Sequence, residues 1–200
     1  MSTEITYLGK SFICSKVVEH LQGNTGTVAI FYFCNQHHVS QNRANDILRC
    51  FATQLFTANT ALAPYILETF ASNGLRPTKR TLSAILEKLV TSLASVRIIV
   101  DGLDEWPEDD QKMVIDDLLK IKGPSPGACK VLLSSRNVRS ISKPLQSKPF
   151  FRLEDSAASI SSAITRLIDQ GLEGLRERFS AGLVDEVGHQ LSAKANGKFA

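Results

Sequence analysis

Ile98-Ile-Val-Asp-Gly-Leu-Asp-Glu105 is a run of apolar residues that ends in an acidic cluster. A continuous apolar run of this kind is typical of a strand that is buried on both faces of a parallel sheet. Asp101 stands where such a strand ends, and α/β proteins bind ligands at the carboxyl ends of their strands. The stretch therefore predicts a buried strand that carries Asp101, Asp104 and Glu105 to a ligand-binding edge.

A second interpretation treats these acids as helix-terminal residues. Pro107 can begin a helix, and acidic residues in a first turn interact favourably with the helix dipole. This explains Glu108 and Asp109. It does not explain Asp101, which ends an otherwise apolar strand.

Similar apolar runs stand on both sides of this stretch, and segments with helical periodicity separate them. The runs cover residues 28–34, 96–101 and 130–134, with a weaker one at 149–153. Apolar residues recur at helical spacing in residues 12–21, 47–56 and 82–93. Alternating strands and helices predict an α/β fold, with a parallel sheet between two helical layers.

The character of the sequence changes after about residue 155. Asp155 or Ser156 can cap a helix that Gly171 and Gly174 would break. Two further helical stretches are expected at residues 175–179 and 183–191. We therefore predict an α/β core over residues 1–154 and a small, incomplete helical subdomain over residues 155–200.

The composition excludes several classes of function. The 200 residues are 43% hydrophobic and carry a net charge of only +3, so we expect neither nucleic-acid binding nor association with an anionic membrane. No apolar run approaches the length of about 20 residues that spans a bilayer. The four cysteines are scattered without a CxxC pair, which favours reduced thiols and a cytoplasmic location.

Two short motifs complement the acidic cluster. We expect Gly9-Lys10-Ser11 to open the first helix. Its lysine and hydroxyl stand where phosphate-binding loops place them. In such loops the lysine neutralises the β- and γ-phosphates, and the serine ligates Mg²⁺. In Ser134-Ser135-Arg136, the arginine follows the third strand and can reach a γ-phosphate. Lysine, aspartate and arginine at successive strand–helix units together predict a nucleotide site.

Three further stretches accompany these motifs: Phe31-Tyr-Phe-Cys-Asn35, Ile47-Leu-Arg-Cys-Phe-Ala-Thr-Gln-Leu55 and Ala195-Asn-Gly-Lys-Phe-Ala200. Together, the motifs and these stretches resemble a NACHT NTPase domain. The likeness is closest to the NACHT and nephrocystin-type modules of multidomain fungal proteins, and it runs from Gly9 to Ala200. It implies a P-loop NTPase of the STAND class that acts as a signal-transducing switch between an effector and a set of repeats.

The resemblance also implies roles for the candidate residues. Gly9, Lys10 and Ser11 would bind the phosphates of ATP or GTP, with Ser11 and Asp101 holding Mg²⁺. The catalytic set would comprise Glu105 or Asp104, which position the attacking water, and Arg136, which senses the γ-phosphate. Related NACHT proteins are further expected partners, through homotypic association with this chain.

The start of the chain departs from the family pattern. A full loop reads GxxxxGK[ST], whereas Glu4 stands five residues before Gly9 and Glu4-Ile-Thr-Tyr-Leu8 replaces the usual small residues. The strand that precedes the loop in the family is also missing. Two explanations stay open: an incomplete version of a longer protein, or a short protein that has lost tight nucleotide binding and acts as an inactive interaction module.

Overall fold

The computed structural model describes residues 6–37, 40, 42–60, 64, 78–122, 128–152, 155 and 157–196. The chain divides into two compact units. One is an α/β unit that runs from Leu8 to Ser147, and the other contains Thr6, Tyr7 and the described residues from Lys148 onward. Among the described helices, none is both long enough and apolar enough to cross a membrane.

The described residues of the α/β unit form a sheet of three parallel strands. They are β1 (Val28–Phe33), β2 (Val96–Asp101) and β3 (Cys129–Ser134), and β2 lies in the middle. Their tips are level, because Phe33 pairs with Asp101 and Asp101 pairs with Ser134 in the strand register. The prediction of an α/β fold with a parallel sheet is confirmed, and β2 has the predicted bounds.

One face of the sheet is covered by α1 (Thr6–Gln22). Its buried residues Cys14 and Val18 pack on Ile99 of β2, with Phe31 of β1 beside them. The opposite face of β2 carries Ile98, which is also fully buried. Burial of successive residues on opposite faces is the reason that β2 reads as a continuous apolar run.

Among the described residues, three helices cover the other face. They are α2 (Arg43–Ala58), α3 (Lys79–Thr91) and α4 (Glu108–Ile121). Asn42 and Thr78 cap α2 and α3, since each side chain accepts a hydrogen bond from the backbone N–H three residues later. The largest fully buried side chains of this layer and the strands facing it are Phe51, Ile30, Ile47, Leu48, Leu55, Ile85, Leu86, Leu89, Ile98, Leu103 and Ile115.

Short elements connect the strand tips to these helices. A single turn of 3₁₀ helix (Leu103–Glu105) follows β2, and a short helix, α5 (Arg139–Ser142), follows β3. Both are anchored in the core, because Leu103 and Ile141 are buried. The two loops at the carboxyl edge of the sheet therefore begin from anchored positions.

In the second unit the described residues form two helices, α6 (Ala157–Arg176) and α7 (Ala181–Asn196). They pack on each other, and Leu172 of α6 and Val184 of α7 are both buried. A Cβ on Gly188 would lie 2.9 Å from the Leu172 Cδ1 atom, so this glycine permits the close approach of the helices. The expected capping residue Asp155 precedes α6, whereas Ser156 lies outside the described residues.

Three expectations about this part of the chain were wrong. Gly171 and Gly174 do not break α6, because a helical glycine costs only about 1 kcal/mol relative to alanine and the packing of Leu172 outweighs that cost. Residues 175–179 end α6 and form a turn rather than a separate helix. Residues 149–152 form no strand; Phe150 is 79% exposed, and a strand needs a neighbour for its backbone groups.

Candidate functional site

The candidate site is centred on the tip of β2. Asp101 is buried, and its backbone C=O accepts a hydrogen bond from the Cys34 N–H at 2.8 Å. The next residue, Gly102, donates its N–H to the Ser134 carbonyl at 2.9 Å. Gly102 has a φ of +72°, and a Cβ at this position would lie 3.2 Å from the Cys34 carbonyl oxygen. Glycine therefore avoids strain where the chain turns from β2 into the acidic loop, residues 102–106.

Helix α1 brings Lys10 and Ser11 to this strand tip. The Ser11 hydroxyl donates a hydrogen bond to the Asp101 Oδ2 atom, across 90 residues of sequence. The Lys10 Nζ atom donates to the backbone carbonyl of Ser135 at 3.2 Å. The structure thus brings together an ammonium group, a hydroxyl and a carboxylate that the sequence analysis assigned to one site.

The start of α1 differs from the prediction. The helix begins at Thr6 rather than at Gly9, so Gly9-Lys10-Ser11 lies within the helix. Residues 6–8 contain no Gly or Pro that would keep the backbone out of a helix. From Lys10 onward the backbone N–H groups pair within the helix. At Lys10 and Ser11, the side chains rather than the N–H groups are therefore available for contacts outside the helix.

Asp104 and Arg136 are in direct contact. The Asp104 Oδ1 atom accepts the Arg136 backbone N–H at 2.9 Å, and its Oδ2 atom accepts the Arg136 Nε–H at 2.6 Å. The Asp104 side chain is only 3% exposed, whereas that of Arg136 is 45% exposed. Both residues were expected at this edge from the sequence, but the ion pair between them was not predicted.

Glu105 lies on the other side of the acidic loop. Its Oε2 atom accepts the backbone N–H of Gln36 at 2.9 Å. The neighbouring Trp106 is buried and donates its indole N–H to the Asn35 carbonyl at 3.3 Å. The contacts of Asn35, Gln36 and Trp106 with this loop were not predicted from the sequence. Asn35 and Gln36 follow β1, and the carboxyl ends of parallel strands meet at one edge of the sheet, so these two residues could have been found.

Two cysteine thiols lie close to these carboxylates. Burial, together with the charge of Asp101, raises the pKa of the Cys14 thiol to about 11. Burial and the charges of Asp101 and Glu105 raise the pKa of the Cys34 thiol as well. Both thiols therefore stay protonated at neutral pH, which makes them poor nucleophiles and poor metal ligands.

The oxygen donors at the strand tip suit Mg²⁺. A carboxylate and a hydroxyl are hard ligands, and Mg²⁺ is commonly held by one or two such protein groups together with substrate phosphates. Asp101 and Ser11 provide this pair in direct contact with each other. Across the described ranges, no group of three or more His, Cys, Asp or Glu side chains forms a complete metal site.

The comparison with protein families covers this whole set of residues. The family model described as Nephrocystin 3, N-terminal, matches residues 5–136, a span of about two thirds of the chain that runs from the start of α1 to Arg136. No curated protein and no solved structure gives a significant match. The chain belongs to the Nephrocystin 3, N-terminal family.

Proposed function

We propose that this chain binds a Mg²⁺–nucleoside triphosphate, ATP or GTP, at the carboxyl edge of its sheet, as a P-loop NTPase module of NACHT type. The observation that carries the proposal is the hydrogen bond from Ser11 to Asp101, with Lys10 beside it. A buried strand-tip carboxylate in contact with the hydroxyl of a Gly-Lys-Ser motif is the arrangement that Mg²⁺–phosphate binding needs.

Each residue has a role in this proposal. Gly9, Lys10 and Ser11 contact the phosphates, and the positive charge of Lys10 offsets the charge of the β- and γ-phosphates. When bound, Mg²⁺ would neutralise phosphate charge, and Ser11 and Asp101 are the residues that would hold it. Glu105 orients the attacking water, and Arg136 contacts the γ-phosphate.

The module acts in this proposal as a slow switch. Because only the triphosphate has a γ-phosphate for Arg136 to contact, the two nucleotides favour different populations of loop conformations. Slow hydrolysis would then time the return to the diphosphate state and allow reversible association with related NACHT proteins. The four free cysteines favour a reducing compartment, so we propose a cytoplasmic location.

Titration calorimetry with Mg²⁺–ATP and Mg²⁺–GTP tests the proposal. Lys10→Ala and Asp101→Ala should each weaken binding by about tenfold or more, because each removes a charged contact worth more than about 1.4 kcal/mol. Lys16→Ala is the matched control for Lys10, since Lys16 lies on the same helix with a 54% exposed side chain. Asp109→Ala is the control for Asp101, since its side chain is 94% exposed.

A second candidate function rests on the position of the helix start. Because α1 begins at Thr6, the backbone N–H groups of Lys10 and Ser11 are engaged within the helix. A chain of this kind can keep the α/β scaffold and act as an interaction module without nucleotide. A folded chain that gives no heat with either nucleotide would favour this function, and sedimentation velocity over a concentration series would then test self-association.

A further inference from the structure

The Asp104 carboxylate is committed to Arg136 through both of its oxygens. One oxygen accepts the Arg136 backbone N–H at 2.9 Å and the other accepts the Nε–H at 2.6 Å. At 3% exposure, the Asp104 side chain is closed to solvent. A general base must lie within hydrogen-bonding reach of the water that it activates, and a buried carboxylate engaged in this way does not meet that requirement.

The same contact orients the arginine side chain. A hydrogen bond to Nε fixes the plane of the guanidinium group, and the second bond fixes the backbone from which the side chain extends. The preceding residue, Ser135, accepts the hydrogen bond from Lys10 through its carbonyl oxygen. The loop after β3 is therefore attached on one side to the acidic loop and on the other to α1.

We propose that Asp104 is a positioning residue, which holds Arg136 in the orientation that contacts the γ-phosphate and so sets the preference for a triphosphate over a diphosphate. Asp104 itself neither activates water nor contacts the nucleotide. The phosphate part of this inference rests on the proposed function, whereas the contact between Asp104 and Arg136 does not.

The first experiment measures the dissociation constants of Mg²⁺–ATPγS and Mg²⁺–ADP for the full chain. The ratio of the Mg²⁺–ADP constant to the Mg²⁺–ATPγS constant should fall by about tenfold in Arg136→Gln, the effect of one charge-assisted hydrogen bond. Asp104→Asn should lower the ratio by a similar factor, and the double variant should lower it no further, because both changes remove the same contact. Asp109→Asn, a matched change at an exposed carboxylate, should leave the ratio unchanged.

The second experiment does not depend on nucleotide. In ¹⁵N-arginine-labelled protein, a buried carboxylate acceptor should give the Arg136 Nε–H a shifted and slowly exchanging NMR signal. Arg136→Gln assigns the signal by removing it. Asp104→Asn should return the signal to the shift and exchange rate of a solvated arginine, and Asp109→Asn should not.

The outcomes separate this inference from the proposed function. The positioning role is wrong if Asp104→Asn keeps the wild-type ratio while Arg136→Gln loses it. It is also wrong if Asp104→Asn stops hydrolysis without moving the Arg136 signal. If the wild-type chain binds no nucleotide, the proposed function fails and the NMR signal alone decides. An unchanged signal in Asp104→Asn then overturns the inference, and a lost signal supports the positioning contact.

Discussion

Two parts of the chain supply opposite charges to the candidate site, and they are held in different ways. The acidic half, Asp101–Trp106, is anchored in the core by Leu103 and Trp106 and is hydrogen-bonded to the loops after β1 and β3. The cationic half is Lys10 and Ser11: the Ser11 side chain donates to Asp101 of β2, and the Lys10 side chain donates to the Ser135 carbonyl in the loop after β3.

The difference shows which half sets the geometry. The acidic half forms part of the folded core, so its position follows from the stability of the whole α/β unit. The cationic half lies on α1, a helix that packs on the sheet through a small cluster around Cys14 and Val18. We expect ligand or mutation to move the cationic half more easily than the acidic half.

The strongest test of this comparison removes the anchor of the acidic half. Leu103 is fully buried, so Leu103→Ala should lower the free energy of unfolding by about 2–5 kcal/mol, through lost burial and the cavity left behind. Urea denaturation measures the change. Leu119→Ala, at a 40% exposed position on α4, should cost less than about 1 kcal/mol. Equal losses in the two variants would show that the acidic loop is not anchored in the core.

A smaller effect is expected from the link between the halves. Ser11→Ala removes the hydroxyl donor of the buried Asp101 carboxylate and should lower the free energy of unfolding by about 1–3 kcal/mol. Ser15→Ala is the matched control, because Ser15 is exposed on the same helix and its hydroxyl donates to the Phe12 carbonyl of that helix. If both variants have the same stability, the contact between α1 and β2 contributes nothing in the ligand-free chain.

The smallest effect concerns pH and reports on the cluster that supports the cationic half. The pKa of Cys14 is raised from 9.0 to about 11 in the folded chain, so the folded state holds this proton more tightly than the unfolded state. The resulting stability is present below pH 9 and is lost as the pH rises through 11. At pH 10 the loss is at most about 1.4 kcal/mol.

Urea denaturation at pH 8 and pH 10 checks this expectation. The decrease in stability between the two conditions should be smaller in Cys14→Ser than in the wild type. Cys50→Ser, at a half-buried position on α2, should show the wild-type decrease. An identical decrease in all three proteins would mean that the Cys14 thiol is not protected behind α1.

Much of the α/β unit followed from sequence patterns. The apolar runs predicted β1, β2 and β3 because each strand is buried on at least one face, and parallel strands bring their carboxyl ends to one edge. The prediction of a fourth strand at residues 149–153 was wrong over the described residues, because an apolar run specifies burial but not a pairing partner. The predicted beginning of α1 was also wrong, since Gly-Lys-Ser marks a loop–helix junction only when the preceding residues form the loop.

The sequence by itself determined which groups meet at the carboxyl edge of the sheet: Lys10, Ser11, Asp101, Asp104, Glu105 and Arg136. Strand periodicity places the four residues that end or follow β2 and β3, because it acts through backbone pairing and burial, and the Gly-Lys-Ser motif adds Lys10 and Ser11. Only the tertiary structure decided how those groups bond to one another. The contacts of Ser11 with Asp101 and of Asp104 with Arg136 depend on side-chain directions and on the distances between loops, which packing sets and local sequence does not encode.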